Sequence, residues 1–295
     1  MHSQLSVLIF TLISSIHLSF SPPPILEKEN KTLIESLHFK KGEKQLFLSA
    51  HRGGRFIHNL PENAIPTFDH TLHLTPSAII EMDVAITKDG QLILMHDKSL
   101  DRTTTTSGIV AQKDWADFSD AKLVDDYGII TPYFIPTFEE VLSWAKKRDV
   151  ILKVDIKRGV PYQKVIKTIE KFRMGHQVIL ITYTMSGAEK AYALTKKMMI
   201  SVTIRNMEEW KRFIATGIPA RHIIAFTGTR MSDPKLYKTL HKHGILCILG
   251  TMGNIDKKAK AKGRKIYHNC LASGIDMLAT DEPVACMNAV NSFKD

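Results

Sequence analysis

Apolar residues in this chain follow two rhythms that take turns. Short runs, "QLFLSA" (45–50), "AIIEMDVAI" (78–86), "VILKVDI" (150–156), "VILITY" (178–183), "MISVTI" (199–204), "HIIAF" (222–226), "ILCILG" (245–250) and "DMLAT" (276–280), have the length of strands. Between them lie "NAIPTFDHTLHL", "TFEEVLSWAKKR", "YQKVIKTIEKFR", "SGAEKAYALTKK", "NMEEWKRFIAT", "DPKLYKTLHKHG" and "RKIYHNCLASG", with apolar residues near helical spacing. Strands and helices alternating in units of about thirty residues predict repeated βαβ units. Eight such units suit an α/β fold of the (β/α)8 TIM barrel type, parallel strands inside a ring of helices. An open doubly wound sheet is the alternative, and no Gly-rich dinucleotide turn supports it.

One interval breaks the rhythm. From Val84 to Thr137 the chain is too long for a single connection, and Asp89-Gly90 has the chemistry of a hairpin turn. Residues 86–136 therefore read as an insertion after the second strand, within a barrel domain spanning 45–295 behind a polar lead (22–44). The first 21 residues, "MHSQLSVLIFTLISSIHLSFS", are apolar but interrupted by Ser, Thr and His, and "PPP" follows. They read as a signal peptide and point to export; an uncleaved N-terminal membrane anchor is the other reading.

A net charge of +10 favours anionic partners: phosphates, acidic lipid surfaces or nucleic acid. The basic residues are scattered, crowding only in "DKKAKAKGRK" (256–265), which reads as a solvated helix face. No basic run interleaved with aromatics suggests a nucleic-acid groove, so no nucleic-acid partner is expected. Three cysteines, Cys247, Cys270 and Cys286, lack metal-ligand spacing and imply no disulfide framework.

Candidate chemistry concentrates at strand ends. In "IIEMDV", Glu81 and Asp83 share one face of a strand and Ile80, Met82 and Val84 the other. Two carboxylates side by side inside a barrel repel and are costly to desolvate; a cation with oxygen ligands removes both problems. Solvation or pairing with lysine would also do so. "ILKVDIK" repeats the device: Lys153, Asp155 and Lys157 share a face, so Asp155 would complete an oxygen-rich site and Lys157 could hold a phosphate oxygen. Lys153 lies deeper, to neutralise a carboxylate or to reach out through the barrel's bottom. His51 and His96 each close an apolar run and are each followed by a charged residue, Arg52 or Asp97. Two histidines flanking one phosphate could serve as base and acid, with Asp97 orienting His96 or capping the turn. Other histidines, His222 and His241 among them, read as structural. "FLSAHRGG" supplies a proton carrier, a fixed positive charge and two glycines that let the backbone turn beneath a substrate.

Taken in order, "HRGG…PENAIPTF", "IEMDVAITKDGQLILMHDKSLDRTT…G", "IPTFEEVL", "KVDIK" and "GIDMLATDEP" resemble the glycerophosphodiester phosphodiesterases over roughly residues 46–283. The resemblance implies the eight-stranded barrel with its insertion. It also implies metal-dependent hydrolysis of small glycerophosphodiesters to sn-glycerol 3-phosphate and an alcohol. His51 and His96 would be the paired acid and base, with His96 preferred as acid. Arg52 and Lys157 would contact phosphate, Glu81, Asp83 and Asp155 would bind Ca²⁺ or Mg²⁺, and Glu62 and Asn63 would tie down the loop after strand one. The chain departs from the family pattern in three places. Asp155 stands where a glutamate is usual. Gly250 stands near a usual tryptophan, leaving Tyr183 or Phe226 as the aromatic wall. Lys153 replaces a small polar residue. Two other functions compete: a phospholipase D-like hydrolase of lysophospholipids, using lipid head groups at a membrane surface, and a barrel that binds a phosphate ligand without turnover. Oligomeric state is not legible in the sequence.

Overall fold

The computed structural model describes residues 33–43 and 45–294. The expected signal peptide (1–21) and the start of the lead (22–32) lie outside these residues. In chain order the strands are β1 (Phe47–Ala50), β2 (Ile79–Ile86), β3 (Leu92–Leu94), β4 (Lys122–Val124), β5 (Ile130–Phe134), β6 (Leu152–Ile156), β7 (Val178–Thr182), β8 (Met199–Thr203), β9 (Ile223–Phe226), β10 (Cys247–Gly250) and β11 (Met277–Thr280). The helices are α1 (Leu33–Ser36), α2 (Ile65–Leu74), α3 (Phe138–Lys146), α4 (Tyr162–Lys171), α5 (Met185–Leu194), α6 (Met207–Ala215), α7 (Pro234–Lys242), α8 (Asn254–Lys262), α9 (Lys265–Ala272) and α10 (Pro283–Lys294).

Strands β1, β2 and β6 to β11 run parallel in sequence order, and β11 returns to pair with β1, closing the barrel. Each lies within one of the eight apolar runs. Period-two alternation separates two cores. Outward residues such as Ile80, Met82, Leu152 and Val154 pack with the helices into the larger core. Inward Phe47, Ile79, Ile151, Ile179, Met199, Ile224 and Met277 form a floor inside the barrel, closed from below by Leu33, Leu37 and Phe39. Above that floor, toward the carboxyl-end mouth, the next inward positions of β1, β2, β6 and β8 are polar: Ser49, Glu81, Lys153 and Ser201.

The "TFEE" that opens α3 is a capping box: Thr137 and Glu140 satisfy each other's backbone N–H groups. The interval between β2 and α3 is an insertion with structure of its own. β3 pairs antiparallel with β2, β4 pairs with β5, and Ile93, Met95, Leu100, Val110, Phe118 and Leu123 form a separate small core. Charged "NIDKKAKAK" is helical in α8, yet its Asp256 is buried, accepting from Tyr267, Thr280 and the Asp281 backbone. All three cysteines are buried and unpaired. Among the described residues no helix is long and apolar enough to cross a membrane.

Candidate active site

The β2–β6 register decides which charges meet. Glu81 lies opposite Lys153 and Asp83 opposite Asp155, on the inward face. One pair attracts and the other repels, and the repelling pair is nearer the mouth. Ligand oxygens of Glu81, Asp83 and Asp155 all lie within 4.8 Å of one another, and all three residues are buried. Burial, then the charge of Asp83, pushes the Glu81 carboxyl up to about 7. Burial also raises Asp155, outweighing the opposing charge of Lys157. Asp83 goes the other way: burial would raise it, but Lys157 and its other neighbours hold it below the usual carboxylate range.

Several contacts fix these acids. Asn63 donates from Nδ2 to Asp83 (2.8 Å) and accepts from the Asp83 backbone (3.0 Å). Lys157 Nζ bridges Asp83 and Asp155 at 3.1 Å each. The Tyr183 hydroxyl donates to Asp155 Oδ2 at 2.6 Å, while Asp155 Oδ1 is buried without a partner. An orphaned, desolvated carboxylate oxygen facing two other acids is what a divalent cation would satisfy, so these residues fit the expected group. Lys153 is buried within the barrel rather than reaching out through its bottom, and burial depresses its ammonium against the pull of Glu81 and Asp155.

The "HRGG" segment leaves β1 in a tight turn whose second residue, Arg52, is left-handed (φ 53°). The Arg52 backbone donates to Glu81 Oε2 (2.8 Å) and its carbonyl accepts from Asn63 (3.0 Å), which hold that conformation. Gly53 is required: with φ 81°, a Cβ there would lie 2.2 Å from Phe68 Cδ1. The Arg52 guanidinium is buried, doubly bonded to Glu62 (2.9 and 3.0 Å), with Nε 3.5 Å from Asp83.

A cavity of about 120 Å³ opens above the acids. His51, His96, the three carboxylates and Lys153 line it, together with the aromatic wall candidates Tyr183 and Phe226. The structure thus brings both histidines into one cavity with all three acids. Arg52 and Lys157 contact these carboxylates without themselves lining the cavity. Ser49 and Ser201 reach the same space with buried hydroxyls that have no partner.

Each histidine has a carboxylate behind it. His51 Nδ1 is 2.7 Å from Asp281 Oδ1, and His96 Nδ1 is 2.7 Å from Asp97 Oδ1. Burial depresses His51, but the Asp281 hydrogen bond and the Glu81 charge outweigh it and the imidazole is raised. Arg102 joins the two arms, donating to Asp97 Oδ2 (2.6 Å) and to both oxygens of Glu62 (3.0 and 2.8 Å). Glu62 therefore ties Arg52 to Arg102, and Asp97 orients His96 rather than merely capping a turn. Sequence reasoning gives no role to Asp281 or Arg102. Asp281 stands in the quoted "TDEP" and Arg102 in "DRTT", but only the closing of β11 onto β1 and the folding of the insertion show what they touch.

The model of the glycerophosphoryl diester phosphodiesterase family matches residues 51–285. A glycerophosphodiester phosphodiesterase of Caldanaerobacter subterraneus is 27% identical over 253 residues, covering 82% of this chain and 96% of the relative. The crystal structure of a glycerophosphoryl diester phosphodiesterase from Parabacteroides distasonis superposes with a TM-score of 0.79 at 29% identity, covering 88% of this chain and 90% of that one. An Oleispira antarctica phosphodiesterase, solved with its product sn-glycerol-3-phosphate, shares the fold at 16% identity, with a TM-score of 0.65 and coverage of 84% and 97%. This chain belongs to the glycerophosphoryl diester phosphodiesterase family and is a phosphoric diester hydrolase.

Proposed function

We propose that the chain hydrolyses glycerophosphodiesters to sn-glycerol 3-phosphate and an alcohol, with a divalent cation on Glu81, Asp83 and Asp155 and with His51 and His96 as base and acid. One observation carries this reading: two histidines, each backed by a carboxylate, line the same cavity as three acids whose ligand oxygens lie within 4.8 Å of one another. The product-bound relative from Oleispira antarctica supports a glycerol phosphate in this cavity by analogy of fold.

A bound Ca²⁺ or Mg²⁺ would supply Lewis-acid stabilisation of charge on the phosphoryl oxygens. Asp281 accepts the Nδ1 proton of His51, leaving Nε2 unprotonated to take the proton of the attacking oxygen. As the phosphorus–oxygen bond to the alcohol breaks, His96 Nε2 protonates the departing oxygen, while Asp97 holds its Nδ1 proton. Arg52, 3.5 Å from Asp83, and Lys157, which bridges Asp83 and Asp155, would bring positive charge to the phosphate oxygens beside the acids. The experiment is a metal-dependence profile across soluble glycerophosphodiesters. Full activity after exhaustive chelation would overturn the cation assignment.

Lysophospholipids are a second reading, favoured by an apolar rim. Phe56, Tyr127, Ile129 and Ile130 are exposed, and the Tyr127 hydroxyl donates to the Phe56 carbonyl, pinning the β4–β5 turn to the loop after Arg52. Vesicle-borne lysolipid tested against soluble glycerophosphocholine separates the two substrates. Export, or anchoring by the apolar N-terminal segment, would bring the enzyme to such lipids; N-terminal sequencing of the mature protein tests it.

A further inference from the structure

A second and larger cavity, about 960 Å³, lies at the opposite end of the barrel from the candidate active site. It is bounded by the segments leading into β7, β8 and β9, whereas the active site uses residues at and beyond the strands' carboxyl ends. Arg173, Lys196, Lys197 and Arg221 line it against two carboxylates, Glu35 and Glu170. Cations thus outnumber acids in the lining, on a chain of net charge +10.

One detail sets this cavity apart from an ordinary basic surface. Arg173 has φ 61° just after α4, where its N–H bonds to Glu170 and that of Met174 to Ile169. Glycine is the usual residue at such a helix end, and a side chain there is strained. The chain places a guanidinium at the cavity instead.

We propose that this cavity binds a phosphomonoester dianion, presented either as a soluble glycerol phosphate or as the head group of an anionic lipid. Multiple cations suit a doubly charged, many-oxygen ligand. The carboxyl-end carboxylates take no part, so binding here does not require a divalent cation.

That independence gives the test. Equilibrium dialysis of the full chain with labelled sn-glycerol 3-phosphate in excess chelator should show one saturable site. The double substitution Arg173→Glu with Arg221→Glu should weaken it by about tenfold or more, because two attractions become repulsions. Glycerophosphodiesterase turnover of the variant, with cation restored, should stay at the wild-type level and verify its folding. Arg221→Gln, which removes one charge only, should give an intermediate affinity. A parallel arm measures capture by phosphatidylcholine vesicles with and without phosphatidic acid. Charge-sensitive binding in the soluble arm identifies a free phosphate ester, and charge-sensitive capture in the vesicle arm alone identifies a lipid head group. No chelator-resistant binding in either arm, or binding indifferent to the Arg173 and Arg221 substitutions, overturns the proposal.

Discussion

The Tyr183 hydroxyl lies 2.6 Å from Asp155 Oδ2, tying the third carboxylate of the acid cluster to the cavity wall. Burial and the Asp155 charge both raise the Tyr183 phenol, so it stays protonated and remains a donor. Asp155 is one methylene shorter than the glutamate usual in the family, and the tyrosine fixes the direction in which that shorter arm presents Oδ1. Tyr183→Phe should therefore weaken divalent-cation binding by about tenfold, the lower end of the effect of losing a partner behind a metal ligand. Calorimetric titration with Ca²⁺ and Mg²⁺ reads this directly. Unchanged affinity would reduce Tyr183 to a wall residue.

Asp281 should govern one limb of the pH profile. Its hydrogen bond raises His51, and a base works only when unprotonated, so the acidic limb of kcat/KM is set by a raised His51. Asp281→Asn removes the raising charge and should move that limb to lower pH while lowering the plateau. Movement of the basic limb instead would assign His51 as the acid and His96 as the base.

His96→Ala should lower turnover by about 10²–10⁴-fold on substrates with a poor leaving alkoxide. The loss should shrink on a p-nitrophenyl ester, whose leaving group needs no proton. Arg102→Met should give a partial copy of this phenotype, since Arg102 holds the Asp97 oxygen that does not face His96 and also the Glu62 that grips Arg52. A leaving-group dependence identical to that of the wild type would remove His96 from the acid role.

Gly53 is fixed by sterics rather than by chemistry. A methyl group there would penetrate the fully buried ring of Phe68 at 2.2 and 2.5 Å, on a residue with φ 81°. Gly53→Ala should cost about 2–4 kcal/mol through overpacking and left-handed strain. Denaturant unfolding measures it. Gly159→Ala, with φ 93° but no atom within 4 Å, isolates the backbone part and should cost less.

The barrel is legible in the sequence because its signal is repeated. Eight apolar runs alternate with helical stretches, and the inward acids of β2 and β6 break their runs at every second residue, so the alternation alone marks a polar lining. Helices α8 and α10 are less visible, since charge crowding masks the first and the second lies past the final strand, outside the strand-to-strand intervals. The partners of the site residues are hidden for a different reason. His51 and Asp281 are 230 positions apart, and Arg102 reaches Glu62 across 40, so neither spacing nor periodicity relates them. Arg52 reads in the sequence as a grip on phosphate; its pairing with Glu62 in the same loop, shared with Arg102 from the insertion, is not marked by any spacing.

Lys153 sets up the last expectation. It is buried within the ring of strands, opposite Glu81 in register, and its ammonium is depressed by burial while Glu81 and Asp155 pull it back up. A fixed cation beneath an acid cluster stabilises the cluster when no divalent ion is bound and repels such an ion when it arrives. Lys153→Met should therefore do two opposite things. Without added cation the variant should melt at lower temperature than the wild type, because three buried acids lose a compensating charge. With saturating Ca²⁺ or Mg²⁺ the difference should close, and calorimetry should show cation affinity about tenfold or more above wild type. Weaker cation binding in the variant would mean that Lys153 acts by positioning Glu81 and not by competing with the ion.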